Sequence, residues 1–231
     1  MSDNSTVLVV SPHPDDAEVG AGGIIAHWAA QGRTVVLVVC TNGDKGTSDR
    51  EVDPANLTET RRKEQLAAGK VLGVSEVVML GFPDQTLEDA TEFRERIVRE
   101  IRKHRPHAVV TCDPYRKYIN HRDHRITGRV TLDAVYPFAR DHLAYPEHLD
   151  EGLEPHKVRE VYLWSSDEPD CFLEISEEAF KAKRAALYSH VSQFGGRNEQ
   201  RESRARSGPE GIGRKIGVPL AEQFKLVAVG G

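Results

Sequence analysis

Residues 6–18 read TVLVVSPHPDDAE, an apolar run followed directly by a turn rich in histidine and aspartate. Residues 6–10 show no alternation of polar and apolar side chains, which is typical of a strand buried on both faces of a sheet. A second such run lies at residues 34–40, and residues 18–31 between the two carry apolar side chains at helical spacing and end before Gly32. A strand, a helix and a second strand in this order predict a parallel βαβ unit.

The same alternation continues along the chain. Strands are predicted at residues 76–80, 108–112, 158–164 and 224–229, and helices at about residues 58–72, 87–104, 124–138 and 177–190. This order predicts an α/β fold with a Rossmann-like, doubly wound, mostly parallel sheet, in a single domain that covers residues 1–231. The glycine-rich stretch at residues 195–217 has little apolar content, so we expect a long loop there.

The composition is that of an ordinary soluble globular protein. Of the 231 residues, 39% are hydrophobic and 29% are charged, and the formal net charge of −5 argues against a nucleic-acid partner. The longest uninterrupted apolar run, residues 35–40, is far shorter than the ~20 residues of a membrane helix, so we expect no membrane insertion. The first residues lack the pattern of a signal peptide and the three cysteines lie far apart, which together predict a cytoplasmic location.

Histidine and carboxylate side chains follow two of the predicted strands, where the ligand site of an open parallel sheet is expected. His13 and Asp16 are three residues apart at a strand-to-helix turn, and His124 follows the strand at residues 108–112. Two imidazoles and one carboxylate, with a fourth position open, are typical of a catalytic zinc site. We therefore expect one Zn²⁺ per chain, although the same ligands also accept Fe²⁺, Mn²⁺ or Co²⁺.

Two further side chains in these segments are candidates for proton transfer. A zinc ion in such a site lowers the pKa of a bound water to about 7 and so supplies a nucleophile at neutral pH. Asp15, beside Asp16, is positioned in the sequence to take a proton from that water. His121 lies three residues before His124 and is a candidate donor to an oxyanion or a leaving amine.

The two histidine motifs resemble those of the LmbE-like (PIG-L) deacetylases. These motifs are HPDD at residues 13–16 and HRDHR at residues 121–125, and weaker matches include TNG at 41–43, GFPD at 81–84 and SHVSQ at 189–193. The family consists of zinc hydrolases that remove the acetyl group from N-acetylglucosaminyl compounds, among them precursors of mycothiol and bacillithiol. The resemblance covers most of the chain. It implies a metal-dependent N-deacetylase with a small amino-sugar substrate, and because relatives often form oligomers it allows a homo-oligomer.

The resemblance also implies a role for each matching residue. His13, Asp16 and His124 match the family's metal ligands, and Asp15 matches its general base. His121 matches the histidine that stabilises the tetrahedral oxyanion.

Three more residues match positions around that centre. Asp123 matches a carboxylate that orients His121, and Arg61 and Asp84 match positions that hold sugar hydroxyls. Arg122 is a departure from the family, which more often has proline there, and we expect it to alter the stiffness of the loop without loss of chemistry.

Several of these residues also have ordinary structural interpretations. Asp123 is suited to be the N-cap of the helix that follows it. Arg61 and Glu64 have the spacing of a surface ion pair, and Asp84 lies in a Pro-Asp sequence typical of turns. His190 belongs to a weak family motif but is equally well placed as a cation at a helix end.

Alternative functions remain open at the level of sequence. The same site is able to hydrolyse a different amide or an ester, and a protein that retains the metal without catalysis is a binding-protein alternative. Two histidines and a carboxylate also form the facial triad of non-haem Fe(II) oxygenases. That triad usually lies on a β-sandwich, whereas this chain predicts parallel α/β structure.

Overall fold

Seven strands form one sheet in the computed structural model, which describes residues 6–195 and 199–230. The strands are β1 (Thr6–Ser11), β2 (Thr34–Thr41), β3 (Glu76–Phe82), β4 (Ala108–Cys112), β5 (Glu160–Trp164), β6 (Cys171–Glu174) and β7 (Ala221–Ala228). Their order across the sheet is β3-β2-β1-β4-β5-β7-β6. Strands β1 to β5 are parallel, and β7 pairs antiparallel with both β5 and β6. The predicted single α/β domain with a mostly parallel sheet is confirmed.

Helices cover both faces of this sheet. They are α1 (Asp16–Ala30), α2 (Pro54–Leu72), α3 (Thr91–His104), α4 (Arg122–Asp133) with a π-helical turn at Ala134–Phe138, α5 (Glu147–Asp150), α6 (Glu177–Ser189), α7 (Val191–Phe194) and α8 (Glu199–Ile216). Helices α1, α2 and α6 share one apolar core with Val7 and Val9, and α3 and α4 share the other with Leu8 and Val10. The sheet is thus doubly wound. Within residues 6–195 and 199–230, none of the helices is both long and apolar enough to cross a bilayer.

Strand order reverses direction between β1 and β4, which creates the crevice that positions the site. β1 is paired with β2 on one side and with β4 on the other, with Val10 opposite Thr111. Ligands of doubly wound sheets bind beyond the carboxyl ends of the strands at such a switch point. The segments that follow β1 and β4 meet there, as expected from the sequence.

The predicted long loop at residues 195–217 is wrong, because residues 199–216 form helix α8 despite containing Pro209. Two contacts explain how the helix forms there. Arg206 pairs with Glu210 one turn along the helix and with Glu177 of α6. Gly213 is buried so close to the backbone carbonyl of Val218 that a Cβ atom would lie 2.5 Å from it. Helix α8 also packs against β7 and β6, and this tertiary packing overrides the weak local helix propensity.

The carboxylate of Glu222 joins the last strand both to helix α1, through backbone amides, and to helix α6, through an ion pair. Glu222 of β7 accepts hydrogen bonds from the backbone amides of Gly23 (3.1 Å) and Ile24 (2.9 Å). Lys183 of α6 donates to Glu222 and to the backbone carbonyl of Val19, at 2.6 and 2.9 Å. The segment after residue 220 therefore supports the helix that begins in the site.

Candidate metal centre and active site

The turn between β1 and α1 fixes the first site residues. The Ser11 hydroxyl donates to the backbone carbonyl of His13 (2.9 Å) and accepts from the amide of Ala17 (3.1 Å). Asp16 begins the helix, and its Oδ2 accepts the backbone amide of His13 at 3.1 Å. Asp15 is the N-cap residue, but its side chain does not cap the helix, which leaves its carboxylate available to the site.

Both predicted histidine ligands contact the same oxygen of the predicted carboxylate ligand, Asp16. His13 Nδ1 lies 2.9 Å from Asp16 Oδ2, and His124 Nε2 lies 3.0 Å from the same oxygen. Ligand atoms around a tetrahedral zinc with bonds near 2.0–2.1 Å are separated by about 3.3 Å. Two imidazole nitrogens and one carboxylate oxygen in this arrangement fit a divalent transition metal.

The other ring nitrogen of His13 faces two buried carboxylates. Asp123 Oδ2 lies 3.2 Å and Asp84 Oδ1 lies 3.0 Å from His13 Nε2. A histidine that binds a metal through one nitrogen usually donates its other N–H to a carboxylate, which fixes the ring and its tautomer. The side chain of Asp123 therefore orients His13. The sequence instead predicts that Asp123 orients His121 or caps the helix.

The charges around His13 favour a cation at this point. Burial alone would lower the pKa of His13, but Asp123, Asp16 and Asp84 raise it to about 11. Burial alone would raise the pKa of Asp16, whereas its contacts with His124 and His13 hold it well below the usual range. The carboxylates thus favour a positive charge at this point, either a proton on His13 or a divalent cation among the ligand atoms.

Asp15 lies in an environment suited to a base that works near neutral pH. Burial raises the pKa of Asp15 to about 7, with a further contribution from the neighbouring Asp16, while Arg61 acts in the opposite direction. Arg61 Nη2 donates to Asp15 Oδ2 at 3.0 Å and also to the backbone carbonyl of Pro14. A base with a pKa near the working pH is the most effective.

His121 is held with one particular nitrogen toward the site. It is the N-cap residue of α4, and its Nδ1 accepts the backbone amide of Asp123 at 3.2 Å. In the neutral ring the proton is therefore on Nε2, which is left as a donor. Burial and the positive charge of His13 lower the pKa of His121, which favours this neutral form. Its ring centroid lies 4.7 Å from that of His13.

The two residues predicted to bind the sugar are largely enclosed. Arg61 is 3% exposed, and besides its contacts with Pro14 and Asp15 it donates to the carbonyl of Gly43 at 3.1 Å. A Cβ atom at Gly43, whose φ is 65°, would lie 2.4 Å from this guanidinium. Asp84 is 5% exposed and faces His13. Both residues thus contact other residues of the site, Arg61 through Asp15 and Asp84 through His13. Arg61 is not part of a surface pair with Glu64.

Three buried polar residues lie close to Asp15, and for two of them, Glu18 and Gln65, the sequence predicts no role. Glu18, Gln65 and His190 are all 0% exposed. His190 is the C-cap residue of α6, so it is not a solvated cation at a helix end. A polar side chain on a helix looks like a surface residue in the sequence, and a buried position is visible only once neighbouring elements are packed against it.

The fold and the site together define a class: an α/β protein with a possible metal site of histidine and aspartate side chains at the switch point of its sheet. Residues 8–135 match the family model described as "PIG-L: GlcNAc-PI de-N-acetylase". The chain belongs to the PIG-L family.

Three relatives illustrate the membership. The chain is 36% identical over 193 residues to diacetylchitobiose deacetylase of Thermococcus kodakarensis, which spans 84% of this chain and 72% of the relative. It is 30% identical to a 1D-myo-inositol 2-acetamido-2-deoxy-alpha-D-glucopyranoside deacetylase of Mycobacteroides abscessus, with 81% of each chain covered. The solved structure of N,N'-diacetylchitobiose deacetylase from Pyrococcus horikoshii superposes with a TM-score of 0.88 at 31% identity, covering 98% of this chain and 85% of that one.

These similarities confirm the predicted family and the predicted enzyme class, an N-deacetylase. They also agree with the α/β fold that argued against the oxygenase alternative.

Proposed function

We propose that this enzyme removes the N-acetyl group from a small N-acetylglucosaminyl compound, with one metal ion bound by His13, Asp16 and His124. The observation that carries the proposal is the contact of both histidines with one oxygen of Asp16, at 2.9 and 3.0 Å, next to the largely buried carboxylate of Asp15. Zinc is the metal we expect, and Fe²⁺, Mn²⁺ and Co²⁺ suit the same ligands. When bound, the ion supplies an activated water and polarises the acetyl carbonyl.

Asp15 is assigned as the general base. Its Oδ2 is held by Arg61, so Oδ1 is the atom that we expect to accept the proton from the attacking water. The raised pKa of Asp15, near 7, suits it both to take this proton and to return it to the leaving amine.

His121 is assigned to the oxyanion. Its Nδ1 is occupied by the amide of Asp123, so the Nε2–H is the group directed at the charge that develops on the acetyl oxygen. Asp123 acts on both histidines, through its backbone amide on His121 and through its carboxylate on His13. Contact of Arg61 and Asp84 with sugar hydroxyls stays a prediction.

A cytoplasmic location and a homo-oligomeric state likewise stay predictions. All three cysteines are unpaired, which supports a reducing compartment.

Acetate release from a panel of N-acetylglucosamine conjugates tests the proposed function. The panel contains the free sugar, chitooligosaccharides, the inositol conjugate and the malate conjugate, each assayed with zinc-loaded protein and again after chelation. We expect acetate from at least one conjugate, abolished by the chelator and restored by zinc. Release that is indifferent to chelation, or none from any conjugate by protein with bound zinc, would contradict the proposal.

The carboxylate behind His13 should affect metal binding without contacting the metal. Asp123→Ala is expected to weaken zinc binding by ~10–100-fold, because His13 loses the acceptor that fixes its ring. Asp123→Asn keeps an acceptor oxygen and should have a smaller effect. Competition with a zinc chelator measures the affinity, and Asp133→Ala at the far end of α4 is the control. An unchanged affinity in Asp123→Ala would show that Asp84 alone orients His13.

A further inference from the structure

We infer that Gln65 is a positioning residue for the base: together with Glu18 and His190 it forms a buried polar chain that holds Asp15 in its left-handed backbone conformation. The inference rests on the proposed function only in naming Asp15 as the base. It assigns a role to three buried residues that the metal centre itself does not use.

The backbone of Asp15 is unusual in a way that requires support. Its φ is 102° and its ψ is −26°, in the region that residues other than glycine seldom adopt. Such conformations persist where the surrounding structure fixes them, and they cluster at functional sites. This conformation also directs the Asp15 carboxylate away from the helix amides, since its side chain makes no capping hydrogen bond.

Gln65 supplies the contact that fixes this backbone from α2. The amide of Asp15 donates to Gln65 Oε1 at 3.1 Å. Gln65 is itself fully buried, and Arg61, one turn earlier on the same helix, holds the Asp15 carboxylate. Helix α2 therefore makes two hydrogen bonds with Asp15. Gln65 accepts one from its backbone amide, and Arg61 donates the other to its carboxylate.

Glu18 determines which way the Gln65 amide is turned. Gln65 Nε2 donates to Glu18 Oε1 at 2.6 Å. A carboxylate only accepts hydrogen bonds, so Glu18 compels Gln65 to present its nitrogen to Glu18 and its oxygen to the Asp15 amide. Without Glu18 either orientation of the amide is open, and one of them places two donors against each other.

His190 lies next to Glu18, at the end of this group of residues that is farthest along from Asp15. Its Nε2 lies 3.7 Å from Glu18 Oε1, and both of its ring nitrogens and Glu18 Oε2 are buried without a hydrogen-bond partner among the described residues. The adjacent motif residues hold this end in place, since the Ser192 amide and hydroxyl donate to Glu64 at 2.8 and 2.7 Å and Gln193 donates to the carbonyl of Gly46 at 2.8 Å. The segment that carries the weak family motif, residues 189–193, thus packs against α2, the helix that contacts Asp15.

Exchange of the donor and the acceptor provides the test. Gln65→Met, of similar volume but without a hydrogen bond to either neighbour, is expected to lower kcat by about 10²-fold, the cost of misplacing a reacting group. KM and the zinc content should stay at wild-type values. Gln65→Glu should also lose rate, because it places two carboxylates together. The double variant Gln65→Glu/Glu18→Gln restores one donor and one acceptor. Its kcat should be at least tenfold higher than that of Gln65→Glu.

Two further measurements separate positioning from a purely structural role. In an Asp15→Asn background, Gln65→Met should cause no additional loss of kcat, because the residue acts through Asp15. A crystal structure of Gln65→Met should show the φ of Asp15 moved out of the left-handed region. Additive losses, an unchanged φ, or a swapped pair no more active than Gln65→Glu would overturn the inference. The swapped pair also serves if Gln65→Met does not fold.

Failure of the inference is distinguishable from failure of the proposed function. Wild-type enzyme that releases no acetate from the panel contradicts the proposed function, and the φ of Asp15 in Gln65→Met still tests the positioning role. Active wild-type enzyme with unaffected Gln65 variants contradicts the inference alone.

Discussion

Asp15→Asn is expected to bind zinc as tightly as the wild-type enzyme and to release acetate about 10²–10⁴-fold more slowly, the usual contribution of a general base. Asparagine is the matched replacement because it has the size of aspartate and tolerates a positive φ, which Asp15 adopts at 102°. Its carbonyl oxygen is still able to accept from Arg61. The change therefore removes the proton acceptor while keeping the turn that carries Asp16.

Zinc content, thermal unfolding and acetate release on the same samples check this expectation. Asp15→Ala should lose as much rate, with some additional loss of stability, because alanine is strained at this φ. Asp44→Asn is the control for the removal of a nearby charge. Asp44 follows β2, and its side chain accepts a hydrogen bond from the Asp84 amide. Loss of zinc from Asp15→Asn, or a rate near that of the wild type, would show that Asp15 is not the base.

His124→Ala is expected to abolish both zinc binding and acetate release, whereas His121→Ala keeps the zinc and loses about 10²–10³-fold in kcat, the contribution of one oxyanion donor. The comparison matters because His13, His121 and His124 lie close enough together to form an alternative ligand set. The contacts of the Asp16 carboxylate favour His124 as the ligand, since its Nε2 lies 3.0 Å from Asp16 Oδ2.

Metal analysis after gel filtration distinguishes the two ligand sets. In the His124→Ala protein we expect acetate release equal to that of chelated wild type, and no recovery when micromolar zinc is added. His27→Ala, on the far end of α1, provides a histidine that should affect neither zinc nor rate. Zinc lost from His121→Ala and retained by His124→Ala would reverse the two assignments.

The elements that the sequence predicts well are those whose local pattern and tertiary environment agree. The apolar runs of β1, β2 and β4 have one interpretation, a strand buried on both faces, and the rule for parallel sheets then places His13, Asp16 and His124 together. Helix α8 was not predicted because glycine and Pro209 disfavour a helix locally, whereas its packing against β7 and β6 becomes visible only in the folded chain. Strand β6, four residues long, is defined by its pairing with β7.

Within the site, the sequence predicts the histidines and aspartates that lie together better than it predicts the residues that support them. Glu18 and Gln65 are polar residues on helices, and nothing in the neighbouring sequence marks them as fully buried. Asp123 lies within two residues of His121 and His124, yet its carboxylate contacts a third histidine, His13, 110 positions away. Such contacts depend on how β1 and β4 pair, which no short motif encodes.

The pairing of β1 with β4 also links metal binding to the folding of the chain. The ligands come from residues separated by most of the parallel sheet's sequence, and they meet only after β1 and β4 are side by side. Bringing such distant segments together is slow and costs loop-closure entropy. An ion that binds only the assembled site stabilises the folded chain by mass action, about 4 kcal/mol at a thousandfold excess over its Kd. A metal ion bound by residues from both segments would therefore also stabilise the pairing of β1 with β4.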